Sequence, residues 1–269
     1  MTRTPGSTSI RTPRISCAER LHPFPGATGI LASRYMEEEI RVLSEDRQPL
    51  LLPRSQQGAP PVVVQVRGDG ALFSRPELKV ERVSYPVMTP TAARGVLEAI
   101  FWKPQMRYQV LAIEVLKPIR QFTIRRNETH QVVPLGAAVH GDRVDTAANR
   151  DQRNAVCLRD VAYRIHAHID TAAGADKDVA AYRDQFRRRV TRGACFHQPF
   201  LGTREFSADF GDPDDCERIR HTEDLGVMLH TIHFGPPVRM EWFTARLDDG
   251  VLHVPARGIQ VPVSQAGEN

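Results

Sequence analysis

Between Asp160 and Asp170 the chain alternates without a break. Val161, Tyr163, Ile165, Ala167 and Ile169 fall on one side, and Arg164, His166, His168 and Asp170 on the other. Successive side chains of a strand point to opposite faces, so this pattern dictates a strand with one buried face and one wet face. An apolar sheet face has to be covered, and two segments can cover it. In "TPTAARGVLEAIFWKP", Thr89 can cap a helix that starts at Pro90, and Ala93, Val96, Leu97 and Ile100 recur at three- and four-residue steps to form one apolar stripe. Arg94, Glu98 and Phe101 are expected on the other side of that helix, and Pro104 stops it. "DVAAYRDQFRRRVTRG" is expected to be a second helix, capped by Asp178 and ended by Gly193, with Val179, Tyr182, Phe186 and Val190 along its buried seam.

The remaining strands follow from shorter signals. Val62 to Val66 is a β-branched run, read as a buried first strand with Gly68 and Gly70 as turn residues after it. "MRYQVLAIEVLKPI" is a strand, "QFTIRRNETH" a hairpin or edge, and residues 134–155, low in pattern, a long loop. "RMEWFTARLDDGVLHVPA" is a hairpin turning at Asp249-Gly250. The resulting order is strand, helix, three strands, helix, then more strands. That is an α+β chain whose first half fits a ferredoxin-like sandwich, a fold in which one open sheet face can carry RNA. Residues 1–61, which hold eight of the twenty prolines and one short helix-like stretch at 33–46, read as a flexible extension. The globular part then comprises a domain over 62–205 and a smaller β-rich domain over 206–269.

Composition excludes several classes. With 41% hydrophobic and 25% charged residues the chain is neither disordered overall nor a membrane protein. No stretch approaches the roughly 20 apolar residues of a membrane span, and the N-terminus lacks the apolar centre of a secretion signal. Cys17, Cys157, Cys195 and Cys216 form no C-x-x-C pair, which argues against a structural zinc site or a disulfide scaffold and for a reducing cytoplasm.

Net charge is only +4, but the charges are segregated. Residues 183–204 carry six arginines against Asp184, residues 101–130 carry six cations against two carboxylates, and residues 205–225 carry eight acids against two arginines. Two basic blocks beside an acidic one point to a polyanion partner. Arg125 and Arg126, followed by Asn127, offer charge and amide donors, and Phe101 and Trp102 offer flat surfaces beside Lys103. Lys79, Arg82, Arg94, Arg188 and Arg192 extend this set of RNA-binding candidates. The pairs His166/His168 and His230/His233 lack a third ligand nearby in sequence, so neither a metal nor any other cofactor is expected. No phosphate-binding loop or hydrolase elbow motif is present, and the single residue between Cys195 and His197 does not define a nucleophile–base geometry.

Three stretches, "RPELKVERVSYPVMTPTAARGVLEAIFWKP", "VLKPIRQFTIRRNE" and "RGACFHQPFLGTREF", resemble the CRISPR-associated proteins of Cas family five, subtype d, over about residues 62–255. The resemblance implies a ferredoxin-like RNA-recognition domain and a smaller β-rich domain. It also implies metal-free cutting of the CRISPR repeat hairpin, followed by retention on the 5′ handle beside the backbone and large subunits of the Cascade complex. The family's catalytic pattern is altered: Phe101 stands where the family has a tyrosine, and Ala181 and Tyr182 stand where it has a Lys-His pair. Metal-free cleavage needs a base for the 2′-hydroxyl, an acid for the leaving oxygen and a cation for the phosphorane. Tyr182, Arg183 and His197 are the substitutes nearest in sequence. The alternative is an RNA-binding subunit of Cascade that does not cut.

Overall fold

β5 (Arg150–Thr171), a strand of 22 residues, is the axis of the structure. The computed structural model describes residues 50–78, 80–129, 133–172 and 174–261; Lys79 and the helix expected at 33–46 lie outside them. Along its C-terminal half β5 pairs antiparallel with β1 (Val62–Ala71) on one side and β3 (Met106–Val115) on the other. Its N-terminal half pairs antiparallel with β4 (Gln121–Thr129) and parallel with the two-residue β2 (Arg82–Val83). Between the halves Asp160 takes a positive φ of 50°, which marks the break. The free edge of β1 receives β6 (Asp209–Gly211). That of β3 receives β9 (Val251–His253), which continues the sheet to β8 (Arg239–Asp248), β10 (Ile259–Val261) and β7 (Glu223–His233). The main path therefore runs β10-β8-β9-β3-β5-β1-β6. All these elements lie within one compact unit, residues 52–213 and 217–269.

Two helices cover one face, as the apolar stripes require. α1 (Pro90–Ile100) is capped by Thr89, whose hydroxyl accepts from the Ala92 amide at 3.3 Å, and it buries Ala93, Val96, Leu97 and Ile100. A third helix, separated from it by the five-residue α2 (Leu135–Val139), is α3 (Val179–Arg192). Asp178 caps it by accepting from Ala181 N at 2.8 Å, and Gly193 ends it in the left-handed region at φ 64°. Val179, Tyr182, Phe186 and Val190 are its buried residues. Val62, Val64 and Val66 of β1 and Val161, Tyr163, Ile165, Ala167 and Ile169 of β5 join the helix stripes in one core. In the C-terminal hairpin, Asp249 and Gly250 both have positive φ, as a type I′ turn demands. A Cβ on Gly250 would lie 2.2 Å from the Ile219 carbonyl oxygen, so glycine is required there.

Several expectations are corrected. Residues 150–155 are strand, not loop: both faces of that stretch are largely polar, so hydrophobic periodicity is silent where a ribbon stands away from the core. β4 pairs with β5 alone, so of the two readings of that stretch, hairpin or edge, it is the edge. Gly68 and Gly70 are inside β1, not in a turn after it. A Cβ at Gly68 would meet Leu201 Cδ1 at 2.5 Å, and one at Gly70 would meet the Phe206 ring at 2.6 Å, so these glycines admit close packing. The polar face of the central sheet is not simply wet. A bulge in β3 between Val110 and Ala112 reverses its side-chain parity and places Glu114 beside Arg164 and His166. Among the described residues, Cys157 is buried and Cys195 half-buried, both as free thiols. Among the described residues no helix is long and apolar enough to cross a membrane.

Candidate nucleic-acid interface

The C-terminal end of α1 gathers most of the residues singled out by sequence. Its last carbonyls would be left without intrahelical partners. Ala99 O instead accepts from the amides of Phe196 and His197 at 2.8 and 3.1 Å, Ile100 O accepts from Arg189 at 2.9 Å, and Phe101 O accepts from the Tyr108 hydroxyl at 2.7 Å. These bonds bring the loop after α3 to the helix end that carries Trp102 and Lys103. Phe101 is not a surface platform. It is 6% exposed, its ring centroid lies 6.2 Å from that of Tyr182, and the Arg189 guanidinium sits 5.3 Å above it. Positions 101 and 182, where the family pattern has a tyrosine and a histidine, are therefore neighbours in space, and both side chains pack here. The exposed aromatics at this end are Trp102 and Phe196, at 50% and 71% exposure, with the Phe196 ring 4.3 Å from that of His197.

The three catalytic candidates differ in what holds them. Tyr182 points its hydroxyl at Asp176, which also accepts from Gln105 at 2.7 Å, and this bond to Asp176 raises the phenol further above its ordinary value. A phenol so placed is no base at neutral pH. Arg183 donates to the carbonyl of Pro60, and burial lowers its pKa. His197 is exposed, with its ring free of hydrogen bonds among the described residues.

The arginines of α3 sort by face. Arg183 and Arg189 border the buried seam and donate to main-chain carbonyls. Arg187, Arg188 and Arg192 are exposed on the opposite side, Arg187 loosely paired with Asp184 at 4.0 Å and Arg188 bonded only to Gln185 at 3.1 Å. Arg94 is turned from solvent: it donates to Thr231 on β7 at 3.2 Å, and burial lowers its pKa. Covering by β7, far away in sequence, is what the helical periodicity of α1 did not register.

Away from this helix end, β4 places its two adjacent arginines on opposite faces, since a strand has a period of two. Arg126 pairs with Glu205 on the inner face, where Phe122 packs edge-on against Phe206 at 6.4 Å; Arg125 is exposed on the outer face with Asn127. The expectation of one shared charge-and-amide spot is corrected accordingly. Arg82 forms an ion pair with Glu128 at 3.0 Å.

Sequence reasoning missed one polar layer. Glu114, its side chain 6% exposed, accepts from His166 at 2.6 Å and from Arg164 at 3.3 Å. Burial alone would raise its carboxyl; the bond to His166 and the charge of Arg164 outweigh burial and hold it below the usual glutamate value. The other paired histidines also have separate partners. His168 bonds Pro53 O at 3.0 Å, His230 bonds Pro255 O at 2.8 Å, and His233 bonds Glu241 at 2.9 Å. Among the described residues no three His, Cys, Asp or Glu side chains converge as a metal-binding set.

A family model described as CRISPR-associated protein Cas5, subtype d, matches residues 62–265. The chain is 42% identical over 216 residues to a Mannheimia succiniciproducens protein named CRISPR pre-crRNA endoribonuclease Cas5d, covering 71% of this chain and 93% of that one. It is 41% identical over 217 residues to a Thermus thermophilus protein of the same name, covering 73% and 92%. Among solved structures, one described as a CRISPR-associated protein superposes with a TM-score of 0.55 at 22% identity, over 73% of this chain and 92% of that one. Matched along most of its length by sequence, and by fold at lower identity, the chain belongs to the Cas5d family of CRISPR-associated proteins.

Proposed function

We propose that the protein binds CRISPR repeat RNA and acts in its maturation, remaining on the 5′ handle beside the other subunits of a Cascade complex. One observation carries this reading: two relatives at 41–42% identity, each covered over more than nine-tenths of its length, are named pre-crRNA endoribonucleases. We also read the body as ferredoxin-like. The order β6-β1-β5-β3, with α1 following β1 and α3 following β5, supports that assignment.

In the cleaving form of this proposal His197, the one candidate with an accessible ring, takes the 2′-hydroxyl proton as the 2′-oxygen bonds to phosphorus, and the leaving 5′-oxygen takes its proton from water as its bond to phosphorus breaks. Lys103 offsets the charge of the phosphorane, and Arg188 and Arg192 hold the flanking phosphates. Tyr182 and Arg183 support the helix end through Asp176 and Pro60. A second reading is favoured by the burial of Phe101 and by the alanine at position 181: a subunit that grips the handle and does not cut.

The test is a labelled repeat hairpin incubated with the protein in EDTA. One fragment cut at the base of the stem, reduced about 100-fold or more by His197→Ala, is the result expected for the cleaving form. Tight binding without a cut selects the gripping form. No RNA binding at all contradicts both.

A further inference from the structure

Resting on the reading above, in which the protein works beside other subunits on one RNA, we infer a docking surface on the C-terminal sheet. The outer face of β7, β8 and β10 seats an amphipathic helix of a neighbouring protein subunit held to the same RNA. β8 runs between the other two strands, and the register fixes what this face carries. Trp242 stands opposite Leu229 on one side and Ile259 on the other, Met240 opposite Ile232, and Thr244 opposite Val227. Directly opposed residues share a face, so these side chains form one patch. The alternate residues of β8, Phe243, Ala245 and Leu247, are buried in the core on the inner face. Among the described residues, none of Val227, Leu229, Ile232, Met240, Trp242 and Ile259 belongs to that core. Val227 is 57% and Ile259 73% exposed. Single exposed apolar residues are ordinary, whereas a contiguous group on one sheet face marks a contact surface.

The chemistry and size of the patch select its occupant. Its charged pair, Arg246 with Asp224 at 3.5 Å, lies at the end away from the β7–β8 turn, and no charge stands among the six apolar residues. Phosphates call for cations, so nucleic acid is a poor match. An apolar centre with a tryptophan and a methionine, and charge at the rim, is the make-up of a protein interface. Three strands about 4.8 Å apart give a width of about 14 Å, and Val227 to Ile232 at about 3.4 Å per residue a length of about 20 Å. One helix of about 13 residues, about 10–12 Å across, fits that outline. α1 lies against the inner face of the same sheet, where Arg94 reaches Thr231. The outline encloses about 300 Å², well short of the roughly 800 Å² that a stable pair buries on each partner. A second copy of this chain is therefore not held here. A neighbour already tied to the same RNA is, because tethering makes docking intramolecular and raises a weak affinity by about 10²–10⁴.

The experiment assembles the full chain, carrying photoreactive benzoylphenylalanine in place of Val227 or of Ile259, with the other subunits of its complex and CRISPR RNA. After illumination, crosslinks are expected to a helix of one neighbouring subunit whose apolar residues recur at three- and four-residue steps. Without RNA their yield should fall about 100-fold. Val227→Asp/Ile259→Asp should weaken incorporation of that subunit about 30-fold or more, with affinity for the repeat hairpin and the unfolding temperature unchanged. Arg246→Ala, at the rim, should change incorporation less than about threefold. Crosslinks to a second copy of this chain, to RNA, to a strand or loop of the neighbour, or to nothing overturn the inference. So does an aspartate variant that assembles like the wild type. A wild type that binds no repeat RNA overturns the reading on which the inference rests, a result distinct from these.

Discussion

The two ends of β5 carry similar residues to opposite effect. At its C-terminal end, beside the end of α1, the basic and aromatic residues are largely committed to holding the protein together: Arg189 caps a helix carbonyl and covers Phe101, Arg183 holds Pro60, and Tyr182 packs beneath. At its N-terminal end, the ribbon divides its residues by face, so that Arg126 is bound inward to Glu205 while Arg125 and the amides point outward. Charge counts along the sequence treat the two regions as equals. What separates them is whether a guanidinium finds a carbonyl or carboxylate within the fold, and that depends on face and packing.

Substitutions can break this contrast, beginning with the largest expected effect. Phe101→Ala should cost about 3–5 kcal/mol in urea unfolding, the range for emptying a packed aromatic site; Arg125→Ala should stay within about 0.5 kcal/mol. If Phe101→Ala is neutral, the ring is not the core element described here. Arg189→Ala should cost about 1.5–3 kcal/mol, because a charge-assisted bond to a helix carbonyl is lost, while Arg188→Ala on the exposed side of the same helix should be silent. Asp178→Ala should cost about 1 kcal/mol through loss of the α3 cap.

The smallest effect concerns acid. The folded state holds the Glu114 carboxyl below its unfolded value, so its contribution is fully present above an unfolded value of about 4.3 and is lost as pH falls through the lower folded value. Urea midpoints measured from pH 5 downward should fall less steeply in Glu114→Gln than in the wild type. Parallel curves would show that the layer with His166 and Arg164 has no such role.

Much of this architecture is legible in the sequence where burial is one-sided. The stripe of α1, the seam and caps of α3, the C-terminal half of β5 and the Asp249-Gly250 turn all follow from local pattern and turn chemistry. Legibility fails where partners come from far along the chain. Phe101 reads as the exposed end of a helix until Tyr182 and Arg189 close over it, and Arg94 reads as solvated until β7 arrives with Thr231. Glu114 reaches its polar layer through a bulge that no hydrophobic period encodes. The ribbon half of β5 is polar on both sides, so its alternation is one of charge and amide, visible only after the register with β4 is known. For the candidate interface, positions 101, 182 and 197, far apart in sequence, meet at the end of α1, and which side chain is open there follows from packing.

The measurement that bears most directly on the central claim is competition binding of the repeat hairpin against duplex DNA of equal length across a salt series. The account predicts a clear preference for the hairpin. It also predicts a log–log salt slope of about −3.5 to −4.5, as expected for about five neutralised phosphates. Equal affinity for the two nucleic acids, or an affinity that does not respond to salt, would contradict it.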